Sequence, residues 1–127
     1  MKLLTKAIEK KLKSQHKKHR STSYNKSEPV VVKYFTPWGR ATWWIIEGTP
    51  IESHPNTSKV LLLDNDGKPT PDWYLYGLCD LGIGYREFGD VLLSDLLSIT
   101  GPMGLRIERD KSYSGTYSDL KLLAKDY

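Results

Sequence analysis

The sequence predicts a small α+β domain: an antiparallel sheet of about four to five strands built from two hairpins, with an N-terminal helix and one or two short C-terminal helices. Three observations predict it. Two β-branched and aromatic runs flank a Pro-Gly turn, an apolar repeat of helical spacing stands near the N-terminus, and segments with good N-cap residues lie near the C-terminus. At 127 residues and 39% hydrophobic content, the chain is long enough for one domain with its own core.

The N-terminal segment carries the helical signal. Leu4, Ile8 and Leu12 recur every four residues, which predicts an amphipathic helix over residues 1–13 that docks its apolar stripe on the core. Residues 14–27 contain no aliphatic side chain, so we predict a basic flexible linker over 14–28 and a single α+β domain over 29–127. His16 and His19 have no Cys or carboxylate nearby in sequence, and we therefore expect no metal site there.

Charge is distributed unevenly along the chain. Residues 1–33 hold ten Lys and Arg against two Glu, whereas residues 34–127 hold nine against thirteen Asp and Glu. A basic arm is the expected footprint of nucleic-acid binding, although a solvated Lys-rich helix face gives the same count. The candidate nucleic-acid-binding residues are Lys10, Lys11, Lys13, Lys17, Lys18 and Arg20.

The first predicted hairpin opens the body of the chain. Val30–Phe35 and Ala41–Ile46 have strand composition, and the intervening Thr36–Gly39 carries Pro and Gly where a type I turn favours them. Trp43 and Trp44 must point to opposite faces of their strand. Both faces of the sheet therefore need cover, at least locally.

A second hairpin is predicted from the strands Lys59–Leu63 and Trp73–Cys79 around the polar turn Asp64–Pro69. Beyond it, Gly82 and Gly84 are expected to bend the backbone, and Val91–Leu93 to add a short edge strand.

Two short helices complete the expected fold. Ser94 and Ser118 each precede a helix-forming segment, and each is predicted to be its N-cap. Gly101 and Pro102 are expected to stop the first of these helices.

Several of these segments together resemble a known family. The similarity is carried by Gly77–Gly82, by Phe88 with Gly89, by Gly101–Asp110 and by the hairpin with Thr42, Trp43 and Glu47. The chain resembles the domain-of-unknown-function 2958 family, small proteins found largely on bacterial plasmids and other mobile elements. That family has no established activity, so the resemblance implies a genomic setting, with an accessory or anti-defence role as an association.

The sequence contains few side chains that are placed to act in catalysis. Cys79 stands alone in an aromatic strand and reads as a small buried residue, while the histidines lie outside the predicted sheet. Carboxylates at strand ends are the remaining candidates for a metal-dependent hydrolase or nuclease, namely Glu47, Asp80, Glu87, Glu108 and Asp110. The competing interpretation is structural: Asp80, Arg106, Glu108, Arg109 and Asp110 would form an ion-paired edge of the sheet.

The function expected from these observations is that of a binding module rather than an enzyme. Its partner would be a host or element-encoded protein, or nucleic acid reached through the basic arm, and we expect no cofactor. No apolar run approaches the length of a membrane span, and the first residues lack a signal-peptide core, so we expect a cytoplasmic protein without membrane contact. Exposed aromatics beside arginine are typical of interfaces, and the candidates here are Trp38, Arg106, Arg109, Tyr113 and Tyr117.

Overall fold

A computed structural model describes residues 2–19, 24–51, 62–63, 67 and 69–125 of the chain. The elements in chain order are α1 Lys6–His19, β1 Val32–Phe35, β2 Thr42–Pro50, β3 Leu62–Leu63, β4 Pro69–Thr70, β5 Trp73–Asp80, β6 Arg86–Leu92, α2 Leu93–Ser98, a 3-10 turn at Pro102–Gly104, β7 Glu108–Arg109 and α3 Tyr117–Lys125. This arrangement confirms the predicted α+β class.

The main sheet in the described part of the chain is antiparallel and has five strands in the order β6-β5-β2-β1-β7. The predicted first hairpin is confirmed: β1 pairs with β2, and the Gly39 N–H donates to the Thr36 carbonyl across the turn. A bulge between Ile45 and Glu47 shifts the register of β2 against β5. Gly77 lies opposite Ile45 beside this bulge, and a Cβ at Gly77 would overlap the Trp44 carbonyl group.

Both faces of the sheet are covered, as the adjacent tryptophans predict. Trp43 belongs to a buried cluster that includes side chains from α1 and α2, whereas Trp44 belongs to a second cluster built around Leu120 of α3. The two side chains leave the same strand in opposite directions. The domain therefore has a three-layer arrangement of helix, sheet and helix.

The predicted helix and linker boundary needs correction. The helix begins at Lys6 and continues to His19, so residues 14–19 are helical rather than linker, and residues 20–23 of the predicted linker lie outside the described part of the chain. Gln15 is buried one turn after Leu12, which extends the packed stripe of the helix with a polar side chain. Aliphatic content alone could not indicate this, because the last turn packs through polar groups.

The predicted pairing of strands in the second hairpin is also wrong. β5 pairs with β2 and β6, so the hairpin is β5–β6, closed by residues 81–85. Leu62 and Leu63 instead pair with Thr70 and Pro69 in a separate two-stranded sheet, and residues 59–61 lie outside the described part of the chain. β5 is buried along most of its length, and a strand of that kind needs partners on both sides.

The two short helices are present, but neither uses the predicted serine as N-cap. α2 begins at Leu93, and the Asp72 carboxylate, distant in sequence, accepts hydrogen bonds from the Ser94 N–H at 2.9 Å and the Ser94 hydroxyl at 2.6 Å. At α3, the Asp119 carboxylate accepts from the Thr116 N–H at 2.9 Å, the reciprocal half of a capping box.

Candidate functional site

The outer face of α1 is a continuous basic surface. Lys6, Lys10, Lys13 and Lys17 are exposed and follow one another at spacings of four, three and four residues, so they lie on one side of the helix. This lysine stripe spans about 16 Å. Glu9, which is half-buried, is the one acidic residue within α1.

The remaining basic candidates are arranged differently. Lys11 and Lys18 are exposed on the other flank of the helix, and the Lys18 ammonium lies 3.8 Å from the Glu28 carboxylate. Lys13 belongs to the stripe and also lies over the ring of Trp73, with its ammonium 5.7 Å from the ring centroid. Arg20 lies outside the described residues.

Two histidine–carboxylate contacts hold the C-terminal half of α1 against the body. Nε2 of His19 lies 3.0 Å from Oε1 of Glu28, and Nδ1 of His16 lies 3.6 Å from Oε1 of the fully buried Glu47. Glu28 was not predicted to be a partner of α1. The position of His19 was the available signal, because His19 lies seven residues after the buried Leu12 and therefore on the same side of the helix.

The anchor at Glu28 is expected to be sensitive to acid. Burial alone would raise the pKa of Glu28, but hydrogen bonds with Gln15 and His19 and the charge of Lys18 outweigh it and hold the pKa below the ordinary 4.5. A carboxyl with a lowered folded-state pKa adds stability above its unfolded-state pKa, and that stability is lost as pH falls through the folded-state value.

We therefore predict that Glu28→Gln lowers the free energy of unfolding at neutral pH, and that the difference from wild type shrinks below pH 4.5. Urea titrations of both proteins between neutral pH and acid test this. A difference that stays constant across that range would show that the Glu28 charge has no part in holding α1.

The carboxylate candidates are distributed over the sheet. Glu47 is on β2, Asp80 on β5, Glu87 on β6 and Glu108 on β7, and Asp110 follows β7. Within the described residues, no group of three His, Cys, Asp or Glu side chains is placed to hold a metal ion. No three of the five carboxylates named from the sequence are therefore grouped as a metal site.

The predicted ion-paired edge is corrected as well. Asp80 accepts from Nε of Arg86 at 3.0 Å, and β2 and β1 separate β5 from β7. Asp110 lies 3.5 Å from the Lys33 ammonium, while Arg109 donates to the Lys2 carbonyl at 2.9 Å. Proximity in sequence placed these residues together, but the sheet order puts Asp80 away from the others.

A shallow cavity beside α1 brings other polar groups together. It has a volume of about 260 Å³, and its lining includes His16, Glu47, Tyr76 and Asp90. Burial is the main cause that raises the pKa of Tyr76, and nearby acidic groups including Asp90 and Glu47 add to it. A neutral phenol in a cavity that two carboxylates also line can donate a hydrogen bond, and this arrangement suits recognition of a polar group better than nucleophilic chemistry.

The aromatic interface candidates are largely packed. Tyr113 and Tyr117 are half-buried against the α3 cluster, and the Trp38 ring lies so close to Gly101 that no Cβ would fit there. They do not form the exposed patch that the sequence predicted. Arg106 is exposed, and its guanidinium donates to the Leu97 carbonyl at 2.6 Å.

The exposed apolar residues lie elsewhere. The stretch that joins β5 to β6 presents Leu81, Ile83 and Tyr85, which are 56%, 61% and 53% exposed. The sequence predicts only bends of the backbone in this region. The exposure of these side chains could have been inferred from their alternation with Gly82 and Gly84, since apolar residues in a glycine-containing turn have few core residues to pack against.

Comparisons with known proteins leave the activity open. A family model described as "Protein of unknown function (DUF2958)" matches residues 3–58 and 53–122. No curated protein and no solved structure matches the chain. No helix among the described residues has the length and apolar character needed to cross a membrane.

Proposed function

The chain belongs to the DUF2958 family of proteins of unknown function, and we propose that it is a non-enzymatic module that binds nucleic acid through α1. The observation that carries this proposal is the lysine stripe. Four exposed lysines in line present a row of positive charge, and α1 is docked firmly on the sheet behind them. A row of about 16 Å covers about five nucleotides of one strand.

The acidic part of the chain directs nucleic acid to the α1 side of the domain. Residues 34–127 carry more Asp and Glu than Lys and Arg, so phosphates are repelled from most of the remaining surface. Lysines act on phosphate as point charges without reading base edges. Binding should therefore depend strongly on salt and weakly on sequence. The setting would be a cytoplasmic one on a bacterial mobile element, with an accessory or anti-defence role.

The salt dependence of binding tests this proposal. For wild type and a DNA duplex of about 20 base pairs, four phosphate contacts predict a slope of log K against log salt of about −3.6. The triple variant Lys6→Gln, Lys10→Gln, Lys17→Gln should reduce the slope to about −0.9 and weaken binding more than tenfold at about 50 mM salt. Fluorescence anisotropy measures both quantities, and a single-stranded RNA serves as the second probe.

The matched control removes the same charge from elsewhere. Lys26, Lys111 and Lys125 are all exposed and lie outside α1. Replacing these three with Gln should leave the slope within about one of wild type. Equal losses in the two triple variants would mean that total charge matters and that α1 is no interface. Absence of binding by wild type at low salt would remove the proposal altogether.

A further inference from the structure

A second surface, remote from the lysine stripe in sequence, lies on the β5–β6 hairpin. We call residues 81–85 the tip. The tip is held in place by Asp80, whose carboxylate accepts from the Gly82 N–H at 2.8 Å and from Nε of Arg86 at 3.0 Å. Gly82 and Gly84 both have positive φ, which bulkier residues rarely adopt. The conformation of the tip is therefore fixed by its own sequence.

A groove of about 310 Å³ runs from the tip along the hairpin. Its lining includes Leu81, Ile83 and Tyr85, and each is more than half exposed. Gly89 also belongs to the lining, and a Cβ at this position would meet nothing within 4 Å. The groove is thus largely apolar, and it is open at the point where β6 has no side chain.

The polar part of the groove is acidic. Glu87 and Asp90 are exposed and belong to its lining, and no basic residue lines it within the described part of the chain. Burial is the main cause that raises the pKa of the Cys79 thiol to about 11, and the two carboxylates add to it. Cys79 and both carboxylates belong to the lining of the same groove.

The groove lies beside an open edge of the sheet. β6 is the last strand of the order β6-β5-β2-β1-β7, and no other strand in the described residues pairs with its outer side. Alternate residues of an antiparallel edge strand direct their N–H and C=O groups outward. β6 has seven residues, enough to pair with an extended segment of another chain.

We propose that β6 and its groove form a docking surface for an extended segment of a protein partner in which apolar residues alternate with lysine or arginine. Backbone hydrogen bonds to the edge of β6 hold the segment. Its apolar side chains contact Leu81 and Ile83, and its basic side chains pair with Glu87. Asp90 lies on the opposite face of β6 and adds negative charge to the lining of the groove. Charge complementarity selects this occupant, because an acidic segment or a nucleic acid would be repelled. This surface goes beyond the nucleic-acid proposal and does not depend on it.

Capped peptides of alternating valine and lysine, about six residues long to match β6, provide the probe. The same peptide with glutamate in place of lysine is its matched control. NMR titration of the 15N-labelled full chain should show shifts confined to residues 81–92. We expect the lysine peptide to bind at least about tenfold more tightly than the glutamate peptide, and to slow amide exchange along β6.

Variants locate the contacts. Ile83→Ser should weaken binding of the lysine peptide about fivefold, since the peptide would lose its apolar contact with this side chain. Ile83 is exposed, so folding should not depend on it. Glu87→Gln should weaken it and reduce its salt dependence. Leu122→Ser is the control, because Leu122 is 60% exposed on α3, outside the groove. The triple lysine variant of α1 should bind the peptide as wild type does.

Three results would overturn the proposal. Equal binding of the two peptides would remove the charge complementarity, and shifts spread over α1 or β7 would place the contact elsewhere. Concentration-dependent shifts in β6 without peptide would show that a second copy of the chain is the occupant.

Discussion

Replacing Gly77 with alanine should cost about 3 kcal/mol or more of the free energy of unfolding, and we expect it to leave little folded protein at physiological temperature. A Cβ on Gly77 would overlap the Trp44 carbonyl oxygen and would lie 2.8 Å from the Ile45 Cα. These are backbone atoms of the adjacent strand, so no side-chain rotation can relieve the overlap. Circular dichroism during thermal and urea unfolding measures the loss.

Gly89 provides a control on the same ladder. It lies opposite Gly77 in β6, and a Cβ there meets nothing within 4 Å. Gly89→Ala should change the free energy of unfolding by less than about 1 kcal/mol, and the reduced freedom of the unfolded chain favours a small gain. If the two variants were destabilised equally, the close approach at the β2 bulge would not be the reason that position 77 is glycine.

The second large effect is expected for Trp73→Ala, at about 3 to 5 kcal/mol. The Trp73 side chain is 1% exposed, and it packs in the cluster beneath α1 while Lys13 lies over its ring. Removing it leaves a cavity under the helix that carries the lysine stripe. Urea unfolding followed by circular dichroism gives the stability, and hydrogen exchange should show faster exchange in α1 than in β5.

The neighbouring residue separates packing from strand propensity. Tyr74 is 50% exposed and occupies the next position of β5. Tyr74→Ala should cost less than about 1 kcal/mol. A similar loss in both variants would indicate that β5 is weakened as a strand, and that the packing of α1 on Trp73 contributes little.

Local patterns predicted the elements better than their partners. The turn at residues 36–39 and the opposed Trp43 and Trp44 could be read directly, because periodicity and turn chemistry act over a few residues. Pairing of β5 with β2 could not be read, since apolar strands compete for the same neighbours and the choice depends on the whole core. The caps were missed for a similar reason, because Asp72 reaches α2 from another part of the chain.

The candidate sites divide in the same way. The charge distribution in the sequence singled out Lys10, Lys13 and Lys17 but not Lys6, and only the helix shows that these four lysines lie on one side. His19 was assigned to a linker because its partner Glu28 lies beyond a segment with no helical signal. The exposure of Leu81 and Ile83 was not predicted, since it depends on the tertiary structure and apolar residues in a sequence are usually expected to be buried.

The sheet order also determines when the last strand, β7, can be added to the sheet during synthesis. β7 pairs with β1 although Glu108 and Phe35 are far apart in sequence, and Arg109 donates to the Lys2 carbonyl at the same margin. A chain emerging from the ribosome therefore exposes an unpaired β1 edge until residues 108–109 have been made. Contacts of such long range slow folding, so the nascent protein passes through a stage in which this edge is open to aggregation.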